Sequence, residues 1–194
     1  TDIADDLHQE VNTALGNINI LSEMAHLKSE TDLDKSREYI EQIHTKSRNM
    51  MAVMDDMLWS ISPANDSMTS VIERFKEHVD SLRSIYGQAI WLDIEPKVAQ
   101  LSPNMKLRKN ILWLLKSGSA NMMRTGARDL HIYVGLQRQQ LLFRMDFNNS
   151  SMDLLQLNNL LQRQELTKKI QEVKARLIVK QQNDQQVIEL FIPV

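Results

Sequence analysis

The chain has 194 residues, with 25 acidic against 23 basic side chains and a formal charge of −2, so no basic excess suits a nucleic acid or an anionic membrane. It has no cysteine, which excludes disulfides, thiolate nucleophiles and Cys-ligated zinc. No apolar run approaches the ~20 residues of a membrane-spanning helix, and Thr1 already stands inside a helical pattern. The expectation is a cytoplasmic piece of a longer protein, attached to a membrane only through segments upstream of Thr1. His26, His44, His78 and His131 lack metal-ligand spacing, so no metal site is expected.

The first pattern runs from Ile3 to Ala25. Apolar residues at Ile3, Leu7, Val11, Ala14, Ile18, Leu21 and Ala25 recur in steps of three and four, which makes one stripe along a helix. The polar stretch from Ser29 to Ser36 carries cap-type residues and reads as a turn. A second helix follows, with Tyr39, Ile40, Ile43, Met50, Val53, Met54, Met57, Leu58 and Ile61 on or near one face, and Pro63 stops it. Two such wide stripes cannot bury each other alone. The antiparallel hairpin is therefore expected to pair with a second copy as a dimeric four-helix bundle. The methionines, dense between Met50 and Met57, are expected to fill the core.

Beyond the hairpin the periods mix. A third helix opens at Asp66 or Ser67 and closes at Gly87. A strand spans Ala89 to Ile94, and a fourth helix starts at Pro103 and ends near Gly126. Strands over 129–136 and 140–147 make a hairpin, residues 152–175 are helical with a break near Gln162, and strands over 176–181 and 186–194 make a last hairpin. Lys168, Lys169 and Lys174 read as a solvated helix face. The fold class is thus α+β: a helical half, 1–62, precedes a half, 63–194, with helices on one face of a mixed sheet.

These stretches resemble a known family. "IADDLHQEVNTALGNINILSEMA" is similar to the phosphoacceptor helix of two-component sensor histidine kinases, in the branch that reads R-x-L-H-D-E. "MDDMLWSISPANDSMTSVIERF" resembles the exit of their helical bundle, where the branch shows W-S-I-x-P-x-N-D-S, and "IELFIPV" resembles the closing strand of their ATPase domain. The resemblance covers nearly the whole chain in order and is most specific in the first 75 residues. It implies a dimerising hairpin, followed by an α/β sandwich of the histidine-kinase ATPase type. In the family a histidine of the hairpin is phosphorylated from ATP and the phosphoryl group passes to an aspartate of a response regulator. The match places that histidine at His8, with the regulator's receiver domain docking beside it over Asn12, Thr13, Gly16 and Asn19.

The residues depart from the family where its chemistry is done. His8 lies at the edge of the apolar stripe, facing out, and a neutral imidazole can attack phosphorus with one ring nitrogen; the plain alternative is a surface histidine without chemistry. The family's acid after the histidine orients the ring and helps remove its proton, but here Gln9 stands in that place, and an amide cannot act as a base. Glu10 is retained, turned about 100° further around the helix. Against the family's F-K-E-A-x-N-N-A, Lys116 matches the lysine, Ser117 replaces the glutamate and Ala120 the first asparagine, which leaves Asn121 as the retained amide. Asp146 matches the aspartate that reads adenine, but the glycines of D-x-G-x-G are replaced by Asn and Ser. No glycine follows Gly135, and "VKAR" stands where the family carries G-G before its last hairpin.

Phosphate cradles need glycine where backbone touches the ligand, so the implied ATP and magnesium site is degenerate and no cofactor is expected. Asn121 and Asp146 are otherwise ordinary polar residues. Three functions compete. The first is a pseudokinase-like signalling module that dimerises and docks a response regulator, with phosphorelay through His8 or phosphorylation by an intact histidine kinase partner. The second is an active kinase with an aberrant ATP site. The third is a structural dimerisation scaffold.

Overall fold

The computed structural model describes residues 2–87, 89–148, 153–161 and 164–194. The side chain of Ile3, residues Asn149 to Ser151 of the altered D-x-G-x-G stretch, and the break expected at Gln162 lie outside the described residues. The chain divides into two compact units, Thr1–Pro63 and Ala64–Val194.

The first unit is an antiparallel pair of helices, α1 (Asp2–Lys28) and α2 (Leu33–Ile61). Asp32 caps α2, its carboxylate accepting the Lys35 amide at 3.0 Å. That cap starts the helix inside the stretch read as a turn, so the turn shortens to four residues, Ser29 to Asp32. The buried Ser36 hydroxyl donates to the Ala25 carbonyl at 2.8 Å and ties the two helices at the turn. Of the α1 stripe, Leu21 and Ala25 are buried, while Leu7, Val11, Ala14 and Ile18 are half-buried. Other apolar residues of the hairpin are exposed: Ile20, Met24 and Leu27 on α1, and Met51, Met54, Leu58 and Ile61 on α2. Within the single chain the methionines divide between core and surface. Met57, Met68, Met122 and Met145 are buried, but Met51 is 66% exposed because it lies on the uncovered side of the hairpin. The extended backbone of Ser62, with Pro63 after it, ends α2.

In the second unit α3 (Met68–Tyr86) is capped by Ser67, whose hydroxyl accepts the Ser70 amide at 3.2 Å. Val71, Phe75, Val79 and Leu82 form its buried stripe. Then come β1 (Ile90–Ile94), α4 (Met105–Arg124), β2 (Arg128–Gln137), β3 (Gln140–Asn148), α5 (Leu154–Leu161), α6 (Gln164–Glu172), β4 (Arg176–Gln182) and β5 (Gln185–Pro193). Asn104 caps α4, accepting the Leu107 amide at 2.9 Å, so the helix begins at Met105 and not at Pro103. Asp153 and Gln156 exchange side-chain to backbone hydrogen bonds of 2.7 and 3.0 Å, a capping box that starts α5.

The five strands form one mixed sheet in the order β1-β2-β3-β5-β4, with β1 parallel to β2 and the other neighbours antiparallel. Strict alternation along β3 buries Leu141, Phe143, Met145 and Phe147 and turns Leu142, Arg144, Asp146 and Asn148 to the opposite face. The helices cover the first of these faces. A β-carbon built on Gly118 of α4 would lie 2.8 Å from the Phe143 ring and 3.3 Å from the Met145 methyl, so glycine lets α4 rest directly on β3. Phe75 of α3 meets Phe143 edge to face at 6.3 Å, which closes the core between α3, α4 and the sheet.

Candidate functional site

His8 is exposed on α1, as its place beside the apolar stripe predicts. Asn12, Gly16 and Asn19 follow at helical spacing and are exposed as well, and exposed Thr13 lies next to them. The Thr13 hydroxyl is turned back to the Gln9 carbonyl at 2.8 Å, so its oxygen sits close to the helix surface. A β-carbon on Gly16 would meet nothing within 4 Å, and the surface above that position is open. Gln9 is exposed and Glu10 half-buried. Neighbouring positions point about 100° apart, so a carboxylate at position 10 does not take over the direction of position 9.

The residues matched to a nucleotide site are separated. Asn121 is half-buried on α4 and its amide oxygen accepts from Arg124 at 3.2 Å. Asp146 lies on the sheet face turned away from α4, alternating with the buried Met145 and Phe147. The sheet stands between the two side chains. The Asp146 carboxylate is also engaged: the Arg144 guanidinium donates to it from Nε at 3.0 and 3.1 Å and from Nη2 at 2.9 Å. Arg144 reaches on to Glu189 at 3.3 Å, and Lys180 pairs with the same glutamate oxygen at 2.8 Å. The bond to Asp146, opposed by burial and aided by the charges of Asp146 and Glu189, raises the Arg144 pKa. The period-two pattern of "LLFRMDF" carried the signal for this face, since it sets Asp146 opposite to Met145 and Phe147.

The side of α4 that bears Asn110, Trp113, Ser117 and Asn121 meets α6 near its start. Lys169 brings its ammonium to 3.5 Å from the Asn110 amide oxygen and over the Trp113 ring at 6.0 Å. Its side chain is 13% exposed, so the reading of the lysines as a solvated face fails for Lys169. The long apolar stem packs on the aromatic ring while the charge finds Asn110 and Glu172. Among the described residues no group of three His, Asp or Glu side chains is arranged to hold a metal ion, and no helix is long and apolar enough to cross a membrane.

On the open face, Glu95 accepts from the Tyr133 hydroxyl and from the Leu136 amide, the latter at 3.1 Å. Tyr133 reaches Glu95 by lying over Gly135, where a β-carbon would strike its ring. The shared hydrogen bond lowers the Glu95 pKa and pushes that of Tyr133 up to about 12.

No family model and no curated protein matches the chain. Solved structures do. The Erythrobacter litoralis EL346 blue-light activated histidine kinase is 14% identical, with a TM-score of 0.56 over 100% of this chain and 60% of that one. The Acinetobacter baumannii histidine kinase AdeS is 10% identical, with a TM-score of 0.53 over 97% and 96% of the two chains. The histidine kinase domain of the Erythrobacter litoralis protein gives 12% identity and a TM-score of 0.51 over 97% and 95%. The chain thus spans 60% of the first of these structures and nearly all of the other two. At these identities the likeness speaks for architecture. The chain has the α+β fold of the histidine kinases, a helical hairpin followed by a mixed five-stranded sheet with helices.

Proposed function

We propose that the chain is the signalling module of a sensor histidine kinase that has lost ATP-driven autophosphorylation, pairs with a second copy through its hairpin, and presents His8 to a response regulator. The observation that carries this reading is the contrast between its two halves. On α1 an exposed imidazole heads an open polar stripe of Asn12, Gly16 and Asn19. In the second unit the residues present do not fit a nucleotide with magnesium. Asn121 and Asp146 lie on opposite sides of the sheet, Ser117 and Ala120 stand where the family has metal- and phosphate-binding residues, and no glycine follows Gly135. Cytoplasmic placement belongs to the same reading.

In the relay, a ring nitrogen of His8 attacks the phosphorus of an aspartyl phosphate on the receiver domain. The N–P bond forms, the P–O bond to the carboxylate breaks, and the aspartate leaves with that electron pair. Gln9 can steady the ring through its amide but takes no proton. The surrounding water therefore accepts the imidazole proton, and transfer is slower than with an acid at that position.

The test incubates the chain with a receiver domain labelled on its aspartate and looks for acid-labile phosphate on the chain. Label on the wild type and none on His8→Ala is the expected result. No label on either removes the relay and leaves a docking scaffold. Label taken directly from ATP overturns the loss of autophosphorylation.

A further inference from the structure

We propose that the cleft between α3 and α4 binds a small phosphate-type oxyanion. The cleft encloses about 240 Å³ and is lined by Arg74, Glu77, His78, Ser81 and Lys116. Arg74, His78 and Ser81 recur at i, i+4 and i+7, a polar stripe of α3 that runs beside the buried stripe of Val71, Phe75 and Val79. Lys116 closes the cleft from α4. The His78 ring is fixed by its Nε2, which lies 3.1 Å from the Lys116 carbonyl oxygen. A carbonyl only accepts, so Nε2 carries the hydrogen. The ring is also held near the Phe75 ring, nearly parallel at 21° with centroids 6.5 Å apart.

The charge favours an anion. Arg74 and Lys116 bring two positive charges that persist at neutral pH. Glu77 is the one acid in the lining, 3.6 Å from Arg74 and 70% exposed at the rim, where solvent screens it. The donors for a tetrahedral oxyanion are these two cationic side chains from two helices, because the His78 N–H is given to the Lys116 carbonyl and the Ser81 hydroxyl to the Glu77 carbonyl at 3.0 Å. The size argues against a nucleotide, because pockets for drug-sized ligands start at about 300 Å³. The position argues the same way: Lys116 and Asn121 are five residues apart on α4, which turns them about 140° from one another around the helix.

The experiment records amide and imidazole NMR shifts of the 194-residue chain during titration with inorganic phosphate, with sodium chloride at matched ionic strength as the control. Saturable shifts centred on residues 74–81 and on Lys116 are expected. Arg74→Gln combined with Lys116→Gln weakens the response by about tenfold or more, the loss of charge-assisted hydrogen bonds. Glu77→Gln strengthens it, and that variant keeps the test decisive if the double variant does not fold. Shifts that chloride reproduces, that do not saturate, or that are the same in the double variant or in Glu77→Gln as in the wild type overturn the proposal.

Discussion

Glu95 and Tyr133 show how one hydrogen bond sets the behaviour of two groups at opposite ends of the pH scale. The carboxylate prefers its charged form because the Tyr133 hydroxyl and the Leu136 amide both donate to it, so its pKa falls below the ordinary value. The phenol prefers its protonated form for the same bond, and its pKa rises from 10.0 to about 12. The signs follow from which state binds protons more tightly. Folded Glu95 binds its proton more weakly than the unfolded chain does. Its stabilisation is present above the ordinary carboxylate pKa and is lost as pH falls through the lowered one. Folded Tyr133 holds its proton more tightly, so its stabilisation is present below pH 10 and drains away as pH rises towards about 12. Tyr133→Phe should abolish the alkaline dependence at this site and weaken the acid one, because the Leu136 amide still donates to Glu95. In chemical denaturation across pH, the variant is expected to be less stable than wild type near neutrality and to converge with it at both extremes. In an absorbance titration, one of the three tyrosines should ionise late in the wild type and be missing in the variant. A constant gap between the two proteins from acid to alkali would show that the hydrogen bond does not control this site.

At the scale of elements, two helix ends are built alike on different residues. After α4, the Gly126 amide bonds to Met123 at 3.1 Å and the Ala127 amide to Met122 at 3.2 Å, with Gly126 at a φ of 85°. After α6 the same pair recurs, from Lys174 to Gln171 at 3.0 Å and from Ala175 to Ile170 at 2.9 Å, but Lys174 takes the left-handed position at a φ of 53°. Both are Schellman motifs. A lysine there brings its β-carbon against the backbone, at a cost of about 1 kcal/mol or more. Lys174→Gly is therefore expected to raise the unfolding free energy by about 1 kcal/mol, read as a higher denaturant midpoint with an unchanged slope; an unchanged or lower midpoint would refute the strain. Such ends also show what the sequence made legible. Ser67, Gly87 and Gly126 are standard punctuation, and they placed α3 and the end of α4. The Asn183-Asp184 turn, with φ values of 48° and 63°, uses residues that tolerate that backbone. Arg138-Gln139 adopts the same backbone at 49° and 60° without such residues, and only the alternation of the flanking strands revealed that hairpin. The exposure of His8 could be read because a stripe supplied a reference direction. The separation of Asn121 from Asp146 was missed because each was matched to its own motif, and strand alternation was not used to relate them. Lys169 was missed because nothing in a lysine-rich segment marks the lysine that an aromatic residue 56 positions earlier will cover.

For the whole molecule, the open question in energy is the hairpin's uncovered apolar surface. Met51, Met54, Leu58 and Ile61 succeed one another in steps of three and four and form a stripe, as do Ile20, Met24 and Leu27. Burial of a large apolar side chain gains about 1.5–3 kcal/mol, so each stripe is a strong drive towards a partner, and an identical hairpin offers a matching one. Val11 and Ile18 are poor positions at which to test this. Both are half-buried within the chain itself, and an acid there would confuse loss of folding with loss of pairing. Met51 and Leu58 are 66% and 55% exposed, so they can be changed with less effect inside the hairpin. Met51→Glu together with Leu58→Glu removes two apolar contacts from each copy and sets like charges across a two-fold interface. The loss of about 3 kcal/mol or more corresponds to at least about a hundredfold weaker association. Sedimentation of the wild type is expected to give a dimer at micromolar concentration. The double variant is expected to sediment as a monomer with its helical circular dichroism intact. A variant that stays dimeric would place the pairing surface elsewhere than on this stripe, and a wild type that is monomeric at every concentration would remove pairing through the hairpin altogether.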